Sequence, residues 1–388
     1  MRSTPVARLS HSGIGVGGFY GMHMLGIALP LSAGLLLFGW RATIVVSVVL
    51  VSALCAAAVW RRIGARGQPL RLSQAAWLAV LLALMLPAHL ASAGRDATGE
   101  ATWLILPAAG ICLAIFMWLF GGLGTGRISP PIVTLLLLAA LFGDRLTPQN
   151  VLRRDRLFVG DLLKADTSEP RSDRRDSWLT RPRGGDGDAE RSVPASYELI
   201  QYTTGRERPA RGWLPIQGLL RDNLPPLEDL IIGGQPGPIG VASKISVIVG
   251  GLFLLYRGLI DIRIPMTILL VEFAALLILP VPTAIADQPL WRWLALRDPN
   301  VGAATAITLA NYEIMASPVL FMAFFLATSP AARPMSRRAR WVYGAVIGAT
   351  SAAAQLYVSV DFGPYVAMLI ASLLAPSLDW LFRPQPLM

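Results

Sequence analysis

The sequence predicts an all-α, polytopic membrane bundle of about ten transmembrane helices. Three observations predict it. Of the 388 residues, 54% are hydrophobic and only 15% charged, where a soluble chain carries about 25% charge. The mean hydropathy is +0.54. Apolar runs, most of them 18 to 25 residues long, recur along both halves and are separated by short turns of Arg, Pro and Gly. At 1.5 Å rise per residue, such runs match a hydrocarbon core of about 30 Å. Backbone groups must be satisfied internally in lipid, so helices are the expected form.

The runs are Ile14–Phe38, Ala42–Trp60, Leu72–Leu90, Trp103–Phe120, Pro130–Phe142, Ile239–Tyr256, Ile264–Val281, Ala303–Ala327, Trp341–Val358 and Tyr365–Phe382. Pro130–Phe142 is short and reads as a tilted or half helix inside the bundle. The chain therefore divides into helices 1–5 (residues 1–142), a polar loop (143–238) and helices 6–10 (239–388).

Charge orients the bundle. The formal net charge is +10, yet the loop holds 15 acidic and 15 basic residues and is neutral. The excess sits in short turns, which argues for a membrane protein and against a nucleic-acid binder. With the N-terminus inside, the cytoplasmic segments carry Arg2, Arg8, Arg61, Arg62, Arg66, Arg71, Arg127, Arg257, Arg263, Arg333, Arg337, Arg338, Arg340 and Arg383. The opposite short turns carry Arg41, Arg95, Arg292 and Arg297, a bias of fourteen to four. Both termini are then cytoplasmic and the loop extracytoplasmic. Residues 164–195 are so rich in charge, Gly, Pro and Ser that they read as lacking regular structure. Residues 196–235, with Tyr197, Tyr202, Trp213 and Leu214, are expected to lie on the membrane surface.

Few residues offer chemistry of their own. His11, His23 and His89 are scattered, and Cys55 and Cys112 read as packing residues within apolar runs. Gly121-Gly122-Leu123-Gly124-Thr125-Gly126 follows a membrane helix and reads as a helix-terminal turn, since a phosphate cradle would follow a strand. Glu272 lies mid-helix, where a carboxylate must face protein or water. It is either a proton or cofactor contact or an interhelical link. Glu313 is expected near a helix start, where a negative charge is favoured.

Several ordered segments carry a resemblance to a known family. Leu227-Glu228-Asp229-Leu230-Ile231-Ile232-Gly233-Gly234-Gln235-Pro236-Gly237-Pro238-Ile239-Gly240 resembles the segment before the sixth helix of RnfD and NqrB proteins. Gly250–Arg257, Ile262–Pro265, Ala323–Pro330, Arg340–Gly344 and Leu374–Asp379 with Arg383-Pro384 are similar too. Leu37–Trp40 and Phe120–Gly124 match in placement. The resemblance spans nearly the whole chain apart from about 150–195. It implies the family's ten helices and extracytoplasmic fifth-to-sixth loop, in a membrane subunit of a flavin-mediated electron-transport complex. It also implies other membrane and redox subunits as partners, the bacterial inner membrane as location, covalent FMN on a loop Thr, and riboflavin within the bundle.

Residue by residue, the cofactor-binding positions carried over are Thr204 or Thr203 for FMN attachment, and Gly122, Gly124, Ser243 and Thr328. The flavinylation motif reads roughly Asp-x-x-Ser-Gly-Ala-Thr. The matching segment here is Glu198-Leu199-Ile200-Gln201-Tyr202-Thr203-Thr204, which keeps the acid and a Thr but lacks Ser, Gly and Ala. The family's Asn-Pro-Phe-Asn-Pro-Ala is replaced by Gly126-Arg127-Ile128-Ser129-Pro130-Pro131, Glu-Thr-Ser by Val241-Ala242-Ser243, and the Asp of Thr-Asp-Pro by Ser329. Tyr-Pro-Glu-Gly is reduced to Phe362-Gly363-Pro364-Tyr365. Polar flavin contacts are depleted while the packing framework stays. The alternative is a cofactor-free subunit that anchors partner proteins. A solute transporter is the third class, weakened by the lack of an evident internal repeat.

Overall fold

A computed structural model describes residues 16–63, 72–91, 102–120, 128–146, 195–204, 219–220, 224, 227–233, 237–284, 290–293, 302–329 and 332–382. The expectation for 164–194 lies outside these residues, as does that for Trp213 and Leu214. Nearly everything described is helical. The helices are α1 (Val16–Phe38), α2 (Trp40–Ile63), α3 (Leu72–Met85), α4 (Ile105–Leu119), α5 (Pro130–Leu146), α6 (Ala195–Thr204) and α7 (Leu227–Ile232). They continue as α8 (Lys244–Tyr256), α9 (Arg263–Ile278), α10 (Ala303–Ala316), α11 (Val319–Leu326), α12 (Arg337–Tyr357) and α13 (Gly363–Leu381).

By length and hydropathy three helices qualify as membrane spans, Tyr20–Phe38, Trp40–Arg62 and Gly363–Leu381. The pair α10–α11 qualifies as a fourth when taken together, bent by 64° at its break. Leu72–Met85, Ile105–Leu119, Pro130–Gly143 and Lys244–Tyr256 are shorter apolar helices. One departure from the all-helical expectation is a small antiparallel hairpin, β1 (Val281–Ala284) and β2 (Leu290–Arg292), in which Val281 pairs with Arg292. Pro280 and Pro282 cannot donate to a helix ladder, so α9 stops at Ile278 and the apolar run ends as a strand.

The surface is apolar on its outer faces. Leu25, Leu36, Val51, Val59, Ile111, Ile115, Leu141, Leu252, Leu270 and Leu373 are all exposed. Trp40, Trp118, Trp341 and Trp380 are exposed near helix ends, as interfacial anchors are. Cys55 is exposed on α2 and Cys112 half-exposed on α4, so neither fills the core as the sequence suggested. Each sits on an apolar helix surface rather than between helices, where packing would have buried it.

Small residues set the interior spacing. In lipid the hydrophobic effect gives no drive between helices, so association rests on close van der Waals approach. On α12, Gly344 and Gly348 stand four apart and face α9. A Cβ at Gly348 would lie 2.5 Å from the Ile268 carbonyl oxygen and 2.9 Å from the Glu272 amide nitrogen. One at Gly344 would lie 2.8 Å from Thr267 Cβ. Between α1 and α8, a Cβ at Gly250 would lie 2.5 Å from the Gly26 carbonyl oxygen. The same order of pairing runs twice: α2 against α4 and α9 against α12, then α4 against α5 and α12 against α13.

The halves are stitched where α3 ends. The Ile239 amide donates to the Leu86 carbonyl at 3.1 Å and the Gly240 amide to the Leu84 carbonyl at 2.8 Å. A Cβ at Gly240 would lie 2.6 Å from Leu84 Cβ, which explains a glycine there. On the bundle's end, α6 and α7 pack with Leu219, Leu224, Val281 and one face of α10 (Ala306, Leu309, Tyr312, Ala316) in a second apolar cluster. This part of the loop is therefore built onto protein, because its apolar side chains find a helix face to cover.

Replacing Gly348 by Ala should destabilise the protein by about 1–3 kcal/mol through overpacking. Gly21→Ala, where a Cβ meets nothing within 4 Å, should stay within about 0.5 kcal/mol. Thermal unfolding of the purified variants in detergent decides, and equal losses would contradict this packing.

Candidate functional site

The polar residues gather in the second half. Glu272, fully buried on α9, meets two donors from α12. Ser351 Oγ donates to its Oε1 at 3.2 Å and Gln355 Nε2 at 2.5 Å, and Gln355 Nε2 also donates to Ser351 Oγ at 3.1 Å. Ser351 and Gln355 follow Gly344 and Gly348 on the same helical face, so the glycines that permit close approach also bring the donors within reach. Glu272 therefore does link two helices. Its Oε2 has no hydrogen-bond partner among the described residues.

The magnitudes are informative. A charged side chain at a helix centre in a bilayer costs about 2.5–3.5 kcal/mol on insertion scales. An interhelical hydrogen bond in a membrane contributes about 0.6 kcal/mol on average. Two such bonds to a single oxygen do not offset a full charge.

Glu313 departs from expectation. It lies in the last turn of α10, which ends at Ala316, rather than near a helix start. The sequence suggested one continuous helix to Ala327, but Pro318 has no amide to continue the ladder and the chain breaks there. Glu313 thus faces the negative end of the helix dipole, which disfavours its charge. It is 1% exposed, and neither carboxylate oxygen has a hydrogen-bond partner among the described residues.

At the break sits a buried ammonium. Lys244, in the first turn of α8, donates from Nζ to the Val241 carbonyl at 2.8 Å and to the Ser317 carbonyl at 3.2 Å. A carbonyl freed by the helix break is thereby satisfied. Asp361, in the turn between α12 and α13, acts on Lys244 through its charge and accepts from Ser196 Oγ of α6 at 3.3 Å. Lys244, Ser351, Gln355 and Asp361 were not singled out from the sequence. The Gly-x-x-x-Gly spacing at 344–348, continued by Ser351 and Gln355 on the same face, is the signal that would have found two of them.

The opposite end is held by a second set. Arg340 Nη1 donates to Asp261 Oδ2 at 2.7 Å, and its Nε to the Pro334 carbonyl at 3.1 Å. Asp379 Oδ1 accepts from the amides of Met335 at 2.9 Å and Ser336 at 3.2 Å. Burial alone would raise the Asp261 carboxyl, but the Arg340 hydrogen bond and charge hold it below its ordinary value.

Of the residues carried over for flavin, Thr203, Ser243 and Thr328 have described side chains. Thr203 is buried on α6 and its hydroxyl donates to the Leu199 carbonyl at 3.0 Å and the Ile200 carbonyl at 3.3 Å. Ser243 caps α8, accepting from the Ser246 amide at 3.5 Å. Thr328, buried just after α11, donates to the Phe324 carbonyl at 2.5 Å. Each hydroxyl is satisfied by its own helix, and among the described residues no hydrogen bond joins one to another. Gly122, Gly124 and the side chain of Thr204 lie outside the described residues.

Burial pushes the Asp361 carboxyl up to about 6, against the lowering effects of the Ser196 hydrogen bond and the Lys244 charge. The folded state then holds this proton more tightly than the unfolded chain. Its contribution to stability is full below the ordinary carboxylate range and is lost as pH rises through about 6. The melting-temperature difference between wild type and Asp361→Asn should fall across that window, and a flat difference would count against the assignment.

The model of the NQR2, RnfD, RnfE family matches residues 8–388. Among relatives, the RnfD protein of the ion-translocating oxidoreductase complex of Aeromonas salmonicida is 27% identical over 380 residues, covering 93% of this chain and 93% of that protein. Its counterpart in Aeromonas hydrophila is 27% identical over 363 residues, covering 90% and 87%. The NqrB protein of the Na(+)-translocating NADH-quinone reductase of Pseudoalteromonas atlantica is 26% identical over 156 residues, covering 39% and 34%. With a helical framework, apolar outer faces and a match over nearly its full length, the chain belongs to the NQR2, RnfD, RnfE family.

Proposed function

We propose that this chain is the membrane subunit of a multi-subunit, ion-translocating oxidoreductase complex in a bacterial inner membrane. The observation that carries this reading is the end-to-end similarity to RnfD proteins, which leaves neither half of the bundle unmatched. Partner subunits deliver and remove electrons, and this chain supplies the membrane-embedded scaffold between them. Ten spans are assigned to α1, α2, α3 with its following turns, α4, α5, α8, α9, the broken pair α10–α11, α12 and α13. Apolar outer faces support that count even where individual helices are short. Both termini are placed in the cytoplasm by the arginine bias, and the 143–238 loop on the other side.

A flavin would supply one- and two-electron transfer if the chain holds one. Thr204 is the attachment point proposed, since the Thr203 hydroxyl donates within α6. The second reading, a cofactor-free scaffold, is favoured by the same self-satisfied hydroxyls at Thr203, Ser243 and Thr328.

Tagged chain extracted in mild detergent should bring down partners that give a dithionite-reducible redox spectrum. A redox-silent preparation of this chain alone would sink the proposal. On a denaturing gel, covalent FMN would make the band fluoresce under ultraviolet light, and Thr204→Ala but not Thr203→Ala would abolish it. A dark wild-type band whose mass equals the bare sequence selects the scaffold reading.

Topology has its own check. In a background with Cys55 and Cys112 replaced by Ser, Ser172→Cys should react with a membrane-impermeant maleimide from outside the inner membrane. Gln68→Cys should not, and the reverse pattern would overturn the orientation.

A further inference from the structure

The starts of α9 and α12 carry positive charge that the fold does not use. The two helices run parallel. Gly344 of α12 faces Ile264 and Thr267 of α9, Gly348 faces Ile268 and Glu272, and Ser351 and Gln355 reach Glu272. Their first turns therefore lie side by side at one end of the bundle, with Arg263 on α9 and Arg337, Arg338 and Arg340 on α12. Arg340 is spent on structure. Its Nε and Nη2 donate to the Pro334 and Met335 carbonyls at 3.1 and 3.3 Å, and its Nη1 to Asp261 Oδ2 at 2.7 Å. Asp261 is spent too, because its Oδ1 accepts from the Arg263 amide at 3.2 Å. One carboxylate thus touches both helix starts. Among the described residues no ion pair joins Arg263, Arg337 or Arg338 to a carboxylate.

Below these cations run apolar tracks. On α12, Trp341 follows Arg337 and Arg338 by four and three residues, so all three share a face. Arg337 and Arg338 are exposed, and Trp341 is 49% exposed. On α9, Met266 and Leu270 follow Arg263 at three and seven residues and are 45% and 61% exposed. Guanidinium at the helix start with apolar surface descending from it is the complement of an anionic headgroup above acyl chains. Arginine also suits the head, because its planar fork matches phosphate oxygens in pairs. Both helix dipoles point their positive ends the same way.

We propose that the adjoining starts of α9 and α12 form a binding site for an anionic phospholipid, with Arg263, Arg337 and Arg338 on the phosphate-bearing headgroup and acyl chains along Trp341, Met266 and Leu270. An acidic soluble partner would meet the guanidinium groups but leave the tracks below them uncovered. A free phosphate would do the same. A lipid covers both. The site holds in either leaflet and does not rest on the redox reading, so the two fail separately.

The test is thermal unfolding of the full chain in detergent, with phosphatidylglycerol added against phosphatidylcholine of the same chains and against inorganic phosphate. Phosphatidylglycerol should raise the wild-type melting temperature saturably, and added salt should weaken the effect. In R263Q/R337Q/R338Q the half-saturating lipid concentration should rise by about tenfold or more, as charge-assisted hydrogen bonds are lost. R61Q/R62Q, two exposed arginines at the end of α2, should respond as wild type does. Equal stabilisation by phosphatidylcholine overturns the proposal, as does equal stabilisation by inorganic phosphate. An equal loss in R61Q/R62Q assigns the effect to overall charge and overturns it too.

Native mass spectrometry of the wild type, released from bilayer discs holding both lipids in equal amounts, needs no variant. Retained phosphatidylglycerol in preference to phosphatidylcholine supports the site, and equal retention contradicts it. An acidic protein that co-purifies with wild type and is lost from the triple variant, while lipid retention is unchanged, makes this face a protein interface and overturns the proposal.

Discussion

The contact on which the second half depends is the close approach of α9 and α12. Lipid is as apolar as the helices it surrounds, so nothing squeezes them together as water would. What holds them is fit, and fit at Gly344 and Gly348 brings backbone within reach of backbone. Only because the axes are close can Ser351 and Gln355 meet Glu272. Those donors lower the cost of a carboxyl at mid-helix without cancelling it. The chain has thus spent small residues in one turn to permit polar ones in the next. Widening the spacing would strand Glu272 and loosen α12, and with it the α13 that packs on its other side.

The broken pair α10–α11 is the second constraint. Pro318 ends α10, the chain bends by 64°, and the last turn of α11 winds wider, with the Ala327 amide reaching the Met322 carbonyl at 2.8 Å. A break inside an apolar bundle exposes carbonyls that lipid cannot satisfy. Lys244 answers for one of them, and Asp361 balances Lys244. Through Ser196 the same Asp361 ties down α6, so one interruption in one helix organises groups from α6, α8 and the α12–α13 turn.

Hydropathy located the helices because burial in lipid writes itself directly into composition. It located their ends less well. Leu72–Leu90 ends as a helix at Met85, since Pro87 and the pairing with Ile239 and Gly240 take over the backbone. Ala303–Ala327 hid a break because its residues stay apolar on both sides, and Pro318 was the mark of it. Ending α10 at Ala316 puts Glu313 in its last turn, at the unfavourable end of the helix dipole. Glu272 was legible, being a lone acid in an apolar run. Lys244 was not, because a lysine after a loop looks like an ordinary surface charge until the break at Ser317 offers it a buried carbonyl. The family segments around Gly237–Gly240, Arg340 and Asp379 now have physical reasons in the stitch to α3 and in the capping of the α12 start.

The stitch between Leu84–Leu86 and Ile239–Gly240 also bears on how freely this protein can change. Its two hydrogen bonds join residues more than 150 positions apart, yet closing a longer loop costs only about 0.6 kcal/mol per doubling. The join therefore does not care how much chain lies between its partners, provided both ends return to the same place. One extra residue between Gly237 and Lys244 would throw α8 out of register, however long the chain that precedes them.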